Sequence, residues 1–116
     1  MLNWIPARLT AVLITAACFL TPNASPSSAW ATARSDARKH DSPNAGWPEA
    51  AFAGALGFKL GGPRAYHGEV VDLPAFGAGR AELGAADIER ALVLYRQVLN
   101  VLLALSAFVA VIMLVS

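Results

Sequence analysis

The chain has 116 residues, 56% of them hydrophobic and 15% charged, with a formal net charge of +1. Soluble domains are about 45–50% apolar and about 25% charged, so the composition points to lipid contact, and a charge of +1 gives no basis for nucleic-acid binding. The single Cys18 lies in an apolar run, which excludes a disulfide framework or a cysteine-based metal site within this chain.

In chain order, the first element is "LTAVLITAACFL" (9–20), preceded by Pro6 and Arg8. Taken alone it has two readings: a membrane helix, or the apolar part of a secretory leader with "AWA" (29–31) as its small-residue cleavage site. "TPNASPSSA" (21–29) has turn and loop composition, and "WATARSDARKH" (30–40) is helix-tolerant. "SPNAGWPEA" (42–50) reads as a joint, since Pro43 keeps Ser42 extended and Gly46 permits a sharp turn. Pro48 then suits the first turn of a short helix over 48–60, with Glu49 where the helix dipole favours negative charge. Ala50 with Gly54, and Ala53 with Gly57, are small pairs at four-residue spacing that admit another helix closely.

The Gly- and Pro-rich stretch 61–84 reads as a long loop. Asp87 is an N-cap type, and Ile88, Leu92, Tyr95 and Leu99 follow the spacing of one helical face. The same helix continues into "VLNVLLALSAFVAVIMLVS" (98–116), which is uncharged. At a rise of about 1.5 Å per residue that segment measures roughly 28 Å, close to the hydrocarbon core of a bilayer. The expected fold class is an all-α integral membrane protein, with two apolar membrane helices (within 1–22 and 87–116) flanking a polar loop region with short helices (23–86). Those roughly sixty central residues would form only a marginal core alone. Eight of the nine Lys and Arg residues fall between 34 and 96. The positive-inside rule then places the central region in the cytoplasm and weighs against an exported chain.

Asp36, Asp41 and Glu49 lie near Arg38, Lys39 and His40. Carboxylates with basic neighbours suit Mg²⁺ and the phosphates of a nucleotide, because Mg²⁺ takes one or two carboxylates and completes its shell with phosphate oxygens. A solvated charged turn is the plainer alternative, and the residues alone favour it. Gly61 and Gly62, followed by Pro63 and Arg64, could wrap a phosphate with backbone N–H groups, but they lack the spacing of a P-loop. A helix C-terminus followed by a turn has the same composition. His40 and His67 have no metal-ligand partner at i+3 or i+4 and read as loop histidines. Trp47 packs on the short helix or stacks on a flat ligand, and Tyr95 reads as a membrane-interface anchor. No Ser-His-Asp arrangement, cysteine nucleophile or zinc signature is present. The residues by themselves support a small membrane protein with a polar, ligand-binding loop.

The stretch "SPNAGWPEAAFAGALGFKLGGPRAYHGE" resembles the C-terminal signature of the adenosylcobinamide-phosphate synthase family of cobalamin biosynthesis. The matching motifs are Ser-Pro-Asn-x-Gly-Trp-Pro-Glu at 42–49, Ala-Gly-x-Leu-Gly at 53–57, Leu-Gly-Gly-Pro at 60–63, and Tyr66 with Gly68. "NWIPARLTA" (3–11) is similar to a family segment that leads into a membrane helix, and "DARKHDSPN" (36–44) to the run into the core motif. The resemblance implies that the apolar run after residue 8 is an internal membrane helix, and that the chain corresponds to the C-terminal portion of a longer multi-pass protein.

It also implies an ATP- and Mg²⁺-dependent ligation of adenosylcobyric acid, a corrinoid, to aminopropanol or its phosphate. On that basis Glu49, Asp36 and Asn44 are the catalytic candidates, with Glu49 or Asp36 also holding Mg²⁺. Arg38, Lys39, Ser42, Trp47, Gly61, Gly62, Tyr66 and Arg8 are the substrate-binding candidates. The expected partners are the lipid bilayer, the missing N-terminal half and other proteins of the cobalamin pathway. A non-catalytic membrane fragment, or an exported tail-anchored protein, is the alternative.

Overall fold

The computed structural model describes residues 4–39, 43–62, 64–71 and 74–116. Helices dominate it. α1 spans Trp4–Cys18, α2 Pro26–Asp36, α3 Pro43–Leu56 and α4 Ala85–Val115, and a 3₁₀ turn, Ala37–Lys39, follows α2. Four short strands lie between α3 and α4: β1 Leu60–Gly61, β2 Arg64–Tyr66, β3 Glu69–Val71 and β4 Ala75–Phe76. The all-α expectation is corrected at this point. The stretch expected to be a long loop folds back on itself, with the β2–β3 hairpin nested inside the antiparallel β1–β4 pair. The hairpin turns through His67 and Gly68, both with positive φ (51° and 81°), the combination that matches the twist of paired strands.

α2 begins with Ser25 as N-cap, whose Oγ accepts the Ser28 N–H at 3.2 Å, and with Pro26 at the first helical position. The helix therefore starts inside the stretch expected to be loop. α3 also starts earlier than expected. It runs from Pro43, so the presumed joint is helical and Pro48 lies within the helix rather than at its start. Lacking an N–H, Pro48 cannot bond the Asn44 carbonyl, so α3 forgoes one backbone hydrogen bond in its second turn. α3 ends in a Schellman arrangement: Gly57 takes φ 72° and the Phe58 N–H bonds back to the Ala53 carbonyl at 2.9 Å.

The centre of the fold is the α2–α3 contact, made of very small residues. Ala29 and Ala33 of α2 and Ala50 and Ala53 of α3 are completely buried. Gly54 lets α3 meet the Ser28 carbonyl and the Thr32 side chain of α2, since a Cβ there would clash with both. The expected close approach at Ala50 and Gly54 is what the structure shows. Gly57 has the different task of ending the helix. α1 packs on this pair through Ala11, Ile14, Ala17 and Cys18.

α4 is 31 residues long, about 46 Å. Among the described residues it is the one helix long and apolar enough to cross a membrane, and no residue of its most apolar window is buried. α1, with 15 residues, is shorter than a full span, because the chain turns at residues 19–23 with Asn23 at φ 62°. The hydroxyls of Thr10, Thr15 and Thr21 each donate to the carbonyl four residues earlier, as does Ser106 in α4. These apolar helices thus carry their hydroxyls without bare donors.

Two details of α4 differ from the sequence expectation. Its N-cap is Gly84, and Asp87 sits three residues later with its carboxylate accepting the Gly84 N–H at 2.9 Å. Its packed face carries Ala91, Leu94, Val98 and Val101, whereas Ile88, Leu92, Tyr95 and Leu99 are exposed. Both faces are apolar, so periodicity alone could not choose between them.

Candidate functional site

α1, α3 and α4 enclose an apolar groove of about 400 Å³. Thr10 and Ile14 come from α1, Pro48, Glu49 and Phe52 from α3, and Tyr95 and Val98 from α4. Glu49 is exposed and, among the described residues, is the one charged side chain in the lining. The sequence motif put Glu49 on the candidate list, but not Thr10 or Tyr95. These lie on other helices, and no local spacing links them to residue 49.

A second arrangement lies at the start of α1. The Arg8 guanidinium carbon is 3.9 Å from the centre of the Trp4 ring and 4.9 Å from that of Trp47. Trp47 in turn lies 5.7 Å from Trp30 with ring planes tilted by 44°. Helical geometry puts residues 4 and 8 on one face, and the packing of α3 on α1 brings Trp47 to it. Of the substrate-binding candidates, Arg8 and Trp47 are thus brought together, and Trp47 packs against Trp30 of α2 and the Arg8 guanidinium.

A third arrangement ties the end of α2 to the strand region. The Asp36 carboxylate accepts the Gly77 N–H at 2.7 Å and the Ser35 hydroxyl at 3.0 Å, and pairs with Lys39 at 3.3 Å. Burial alone would raise its pKa, but the Gly77 N–H, the Ser35 hydroxyl and Lys39 together hold it below the ordinary Asp value. Lys39 also donates to the Ala75 carbonyl at 3.3 Å. Arg38 is exposed, and Asn44 is half-buried in the first turn of α3. Gly61 and Gly62 have φ values of 81° and 93°, and the Gly62 N–H is used by the Pro74 carbonyl at 2.9 Å. Tyr66 belongs to β2. His40, Asp41, Ser42 and Pro63 lie outside the described residues. Among the described residues no three His, Cys, Asp or Glu side chains are grouped to share a metal ion.

Where α4 leaves the layer, Asp87 is the hub. It receives both Arg80 guanidinium nitrogens and the Gly84 N–H, and lies 3.7 Å from Arg90. The Arg80 hydrogen bonds, then the Gly84 N–H, hold its carboxyl below the ordinary range. Arg90 also donates to the Leu56 and Asn23 carbonyls, each at 3.2 Å, and lies over the Phe58 ring. It satisfies an orphan carbonyl at the end of α3, where a cation also suits the helix dipole.

The CobD/Cbib protein family profile matches residues 1–95, which is most of the chain and includes every residue named in the three arrangements except Val98 of the groove. The chain belongs to the CobD/CbiB family. It is 50% identical over 95 residues to cobalamin biosynthesis protein CobD of Brucella anthropi, an alignment covering 80% of this chain and 29% of that protein. The CobD of Mycobacterium tuberculosis is 49% identical over 96 residues, covering 83% of this chain and 30% of the relative. That of Rhodobacter capsulatus is 42% identical over 116 residues, covering 100% and 35% respectively. The chain spans about a third of the length of the curated relatives it matches. No solved structure matches it. The profile stops at residue 95, where the uncharged part of α4 is about to begin. Lipid-facing or generic helix packing constrains such a segment by composition more than by residue identity.

Proposed function

We propose that this chain is a C-terminal portion of an adenosylcobinamide-phosphate synthase of cobalamin biosynthesis. Such an enzyme is a membrane ligase that joins adenosylcobyric acid to aminopropanol or its phosphate. The observation that carries the reading is the apolar groove with one acid, Glu49, at its lining, all of it but Val98 within the family-matched region. Ligand sites of this kind are mostly apolar, with a few placed polar groups.

The chemistry required is carboxylate activation. An oxygen of the corrinoid carboxylate attacks the γ-phosphorus of ATP, giving an acyl phosphate and ADP. The amine then attacks the acyl carbon, an amide forms, and phosphate leaves with its electron pair. One proton must be taken from the ammonium before attack and one from the amine as the amide forms. Glu49 is the base assigned to that task, with Thr10 and Tyr95 as neighbouring hydroxyls in the groove. Arg38 and Lys39 are assigned to neutralising phosphate charge, Asn44 to orienting the substrate carbonyl and Trp47 to the corrinoid. Ser42, Gly61, Gly62 and Tyr66 are further substrate-binding candidates, with Arg8 as an anion contact. Bound Mg²⁺ would supply charge neutralisation at the transferring phosphate. Glu49 or Asp36 would hold that ion together with phosphate oxygens, and the Asp36 carboxylate also ties the Gly77 N–H to the end of α2.

The motif loop would open to the cytoplasm, where ATP is available, and α4 would lie in the membrane of a multi-pass assembly with the remaining family helices. The test replaces the counterpart of Glu49 by Gln in a full-length relative and measures amide formation. A loss of at least a hundredfold is expected, and wild-type turnover removes Glu49 from the mechanism. A second reading, a membrane piece without turnover of its own, is favoured by the chain's covering about a third of its relatives. Expression in cells lacking the synthase separates the two, since corrinoid rescue by this chain alone eliminates the second.

A further inference from the structure

We infer that Arg8, clasped by Trp4 and Trp47, is a binding site for a phosphate group. The guanidinium carbon lies over the Trp4 ring at 3.9 Å and over the Trp47 ring at 4.9 Å, and one Nη donates to the Trp4 carbonyl at 3.2 Å. Among the described residues Arg8 makes no ion pair, unlike Arg80 and Arg90, which share Asp87, and Lys39, which pairs with Asp36. Arg8 is therefore a positive charge fixed in orientation by stacking but not neutralised within the described residues.

A guanidinium has five N–H donors in one plane. The Trp4 carbonyl takes one donor, so the rest of the edge remains for an external acceptor. That planar fork matches the oxygens of phosphate two at a time, and pre-ordering by the rings removes much of the entropy cost of using it. The position adds a second contribution. Arg8 lies in the second turn of α1, near the end of the helix whose dipole favours anions, and no acidic residue occupies the first turn. Tryptophans also favour the border between lipid and water. Two sources offer the same chemistry there, a phospholipid headgroup and a soluble phosphate compound. The inference extends the Arg8 assignment made in the proposed reaction, yet binding does not require that reaction.

The chain's three tryptophans, Trp4, Trp30 and Trp47, all belong to this cluster, so intrinsic fluorescence reads it without a label. The purified chain in nonionic detergent is titrated with pyrophosphate, and separately with vesicles containing phosphatidylglycerol. A saturable emission change is expected with one of the two probes. A response to pyrophosphate assigns the soluble source, and a response to vesicles alone assigns the lipid. Arg8→Gln should raise the midpoint at least tenfold. Arg8→Lys, which keeps the charge and loses the fork, should fall between the two. An unchanged midpoint in Arg8→Lys overturns recognition by the fork even if Arg8→Gln fails to fold. A change reproduced by sodium chloride at equal ionic strength overturns the site altogether, as does no response to either probe. Failure here with intact dependence of synthesis on Glu49 removes this inference alone, and the reverse outcome removes only the ligase reading.

Discussion

Replacing Gly54 by Ala tests the central packing most directly. In an isolated helix the change should stabilise, by about 1 kcal/mol. Within this fold the added Cβ would lie 2.5 Å from Thr32 Oγ1 and 2.7 Å from Thr32 Cβ, and closer still to the Ser28 carbonyl oxygen. Ordinary contact begins at 3.4 Å, so α2 and α3 must separate by about 0.9 Å. Neither a helix carbonyl nor a β-branched side chain can swing aside. The shift would also loosen Ala29, Ala33, Ala50 and Ala53, all now fully buried. Overpacking of this kind costs about 1–3 kcal/mol, and the rigid neighbours place Gly54 near the upper end. The net loss is then about 2 kcal/mol, or a fall in Tm of roughly 10 °C for a chain of this size. Circular dichroism at 222 nm during heating in detergent measures it. Gly57→Ala is the control, because its Cβ would meet nothing within 4 Å and only the strain of φ 72° remains, about 1–2 kcal/mol. An unchanged or raised Tm in Gly54→Ala would refute the claim that close backbone approach sets this interface.

Other outcomes follow from the polar ties. The Asp36 carboxyl is held below its ordinary value in the fold, so its contribution is complete above the unfolded value of about 3.9 and is lost as pH falls through the lower folded one. Unfolding temperatures measured from pH 7 down to pH 3 should drop at the acid end, and Asp36→Asn should flatten that drop while lowering stability at pH 7. Arg90→Met keeps the side-chain volume but strips the Leu56 and Asn23 carbonyls of a charged donor, which should cost about 2 kcal/mol in the same thermal assay. If Arg90→Met melts with the wild type, the clamp on the end of α3 contributes nothing measurable. The losses expected for Glu49→Gln in synthesis and for Arg8→Gln in the phosphate titration complete the set.

The long apolar helix was legible because a run of uncharged residues as long as a bilayer is thick has few other uses. The tight helix contact at Ala50 and Gly54 was legible for a similar local reason, since small residues repeating every four positions form a flat helix face. Where evidence was local but divided, the sequence misled. "SPNAGWPEA" has the composition of a joint, yet its described residues, 43–50, form the first turns of α3, because packing of Trp47 on Trp30 and of Gly46 on the backbone of Ala37 outweighs the breaker residues. The stretch 61–84 looked structureless because strands of two or three residues leave almost no periodic signal.

Sequence by itself determined the length and apolar character of α4, the family and the list of candidate residues. Tertiary structure alone decided which of them meet. Glu49 shares a groove with Thr10 and Tyr95, Arg8 lies near the Trp4 and Trp47 rings, and Asp36 reaches the Gly77 N–H. The physical reason is separation along the chain. Residues 8 and 47, or 36 and 77, are joined by no helical or strand period, and only the packing of α1, α2 and α3 and the fold-back of the strands bring them within a few ångströms.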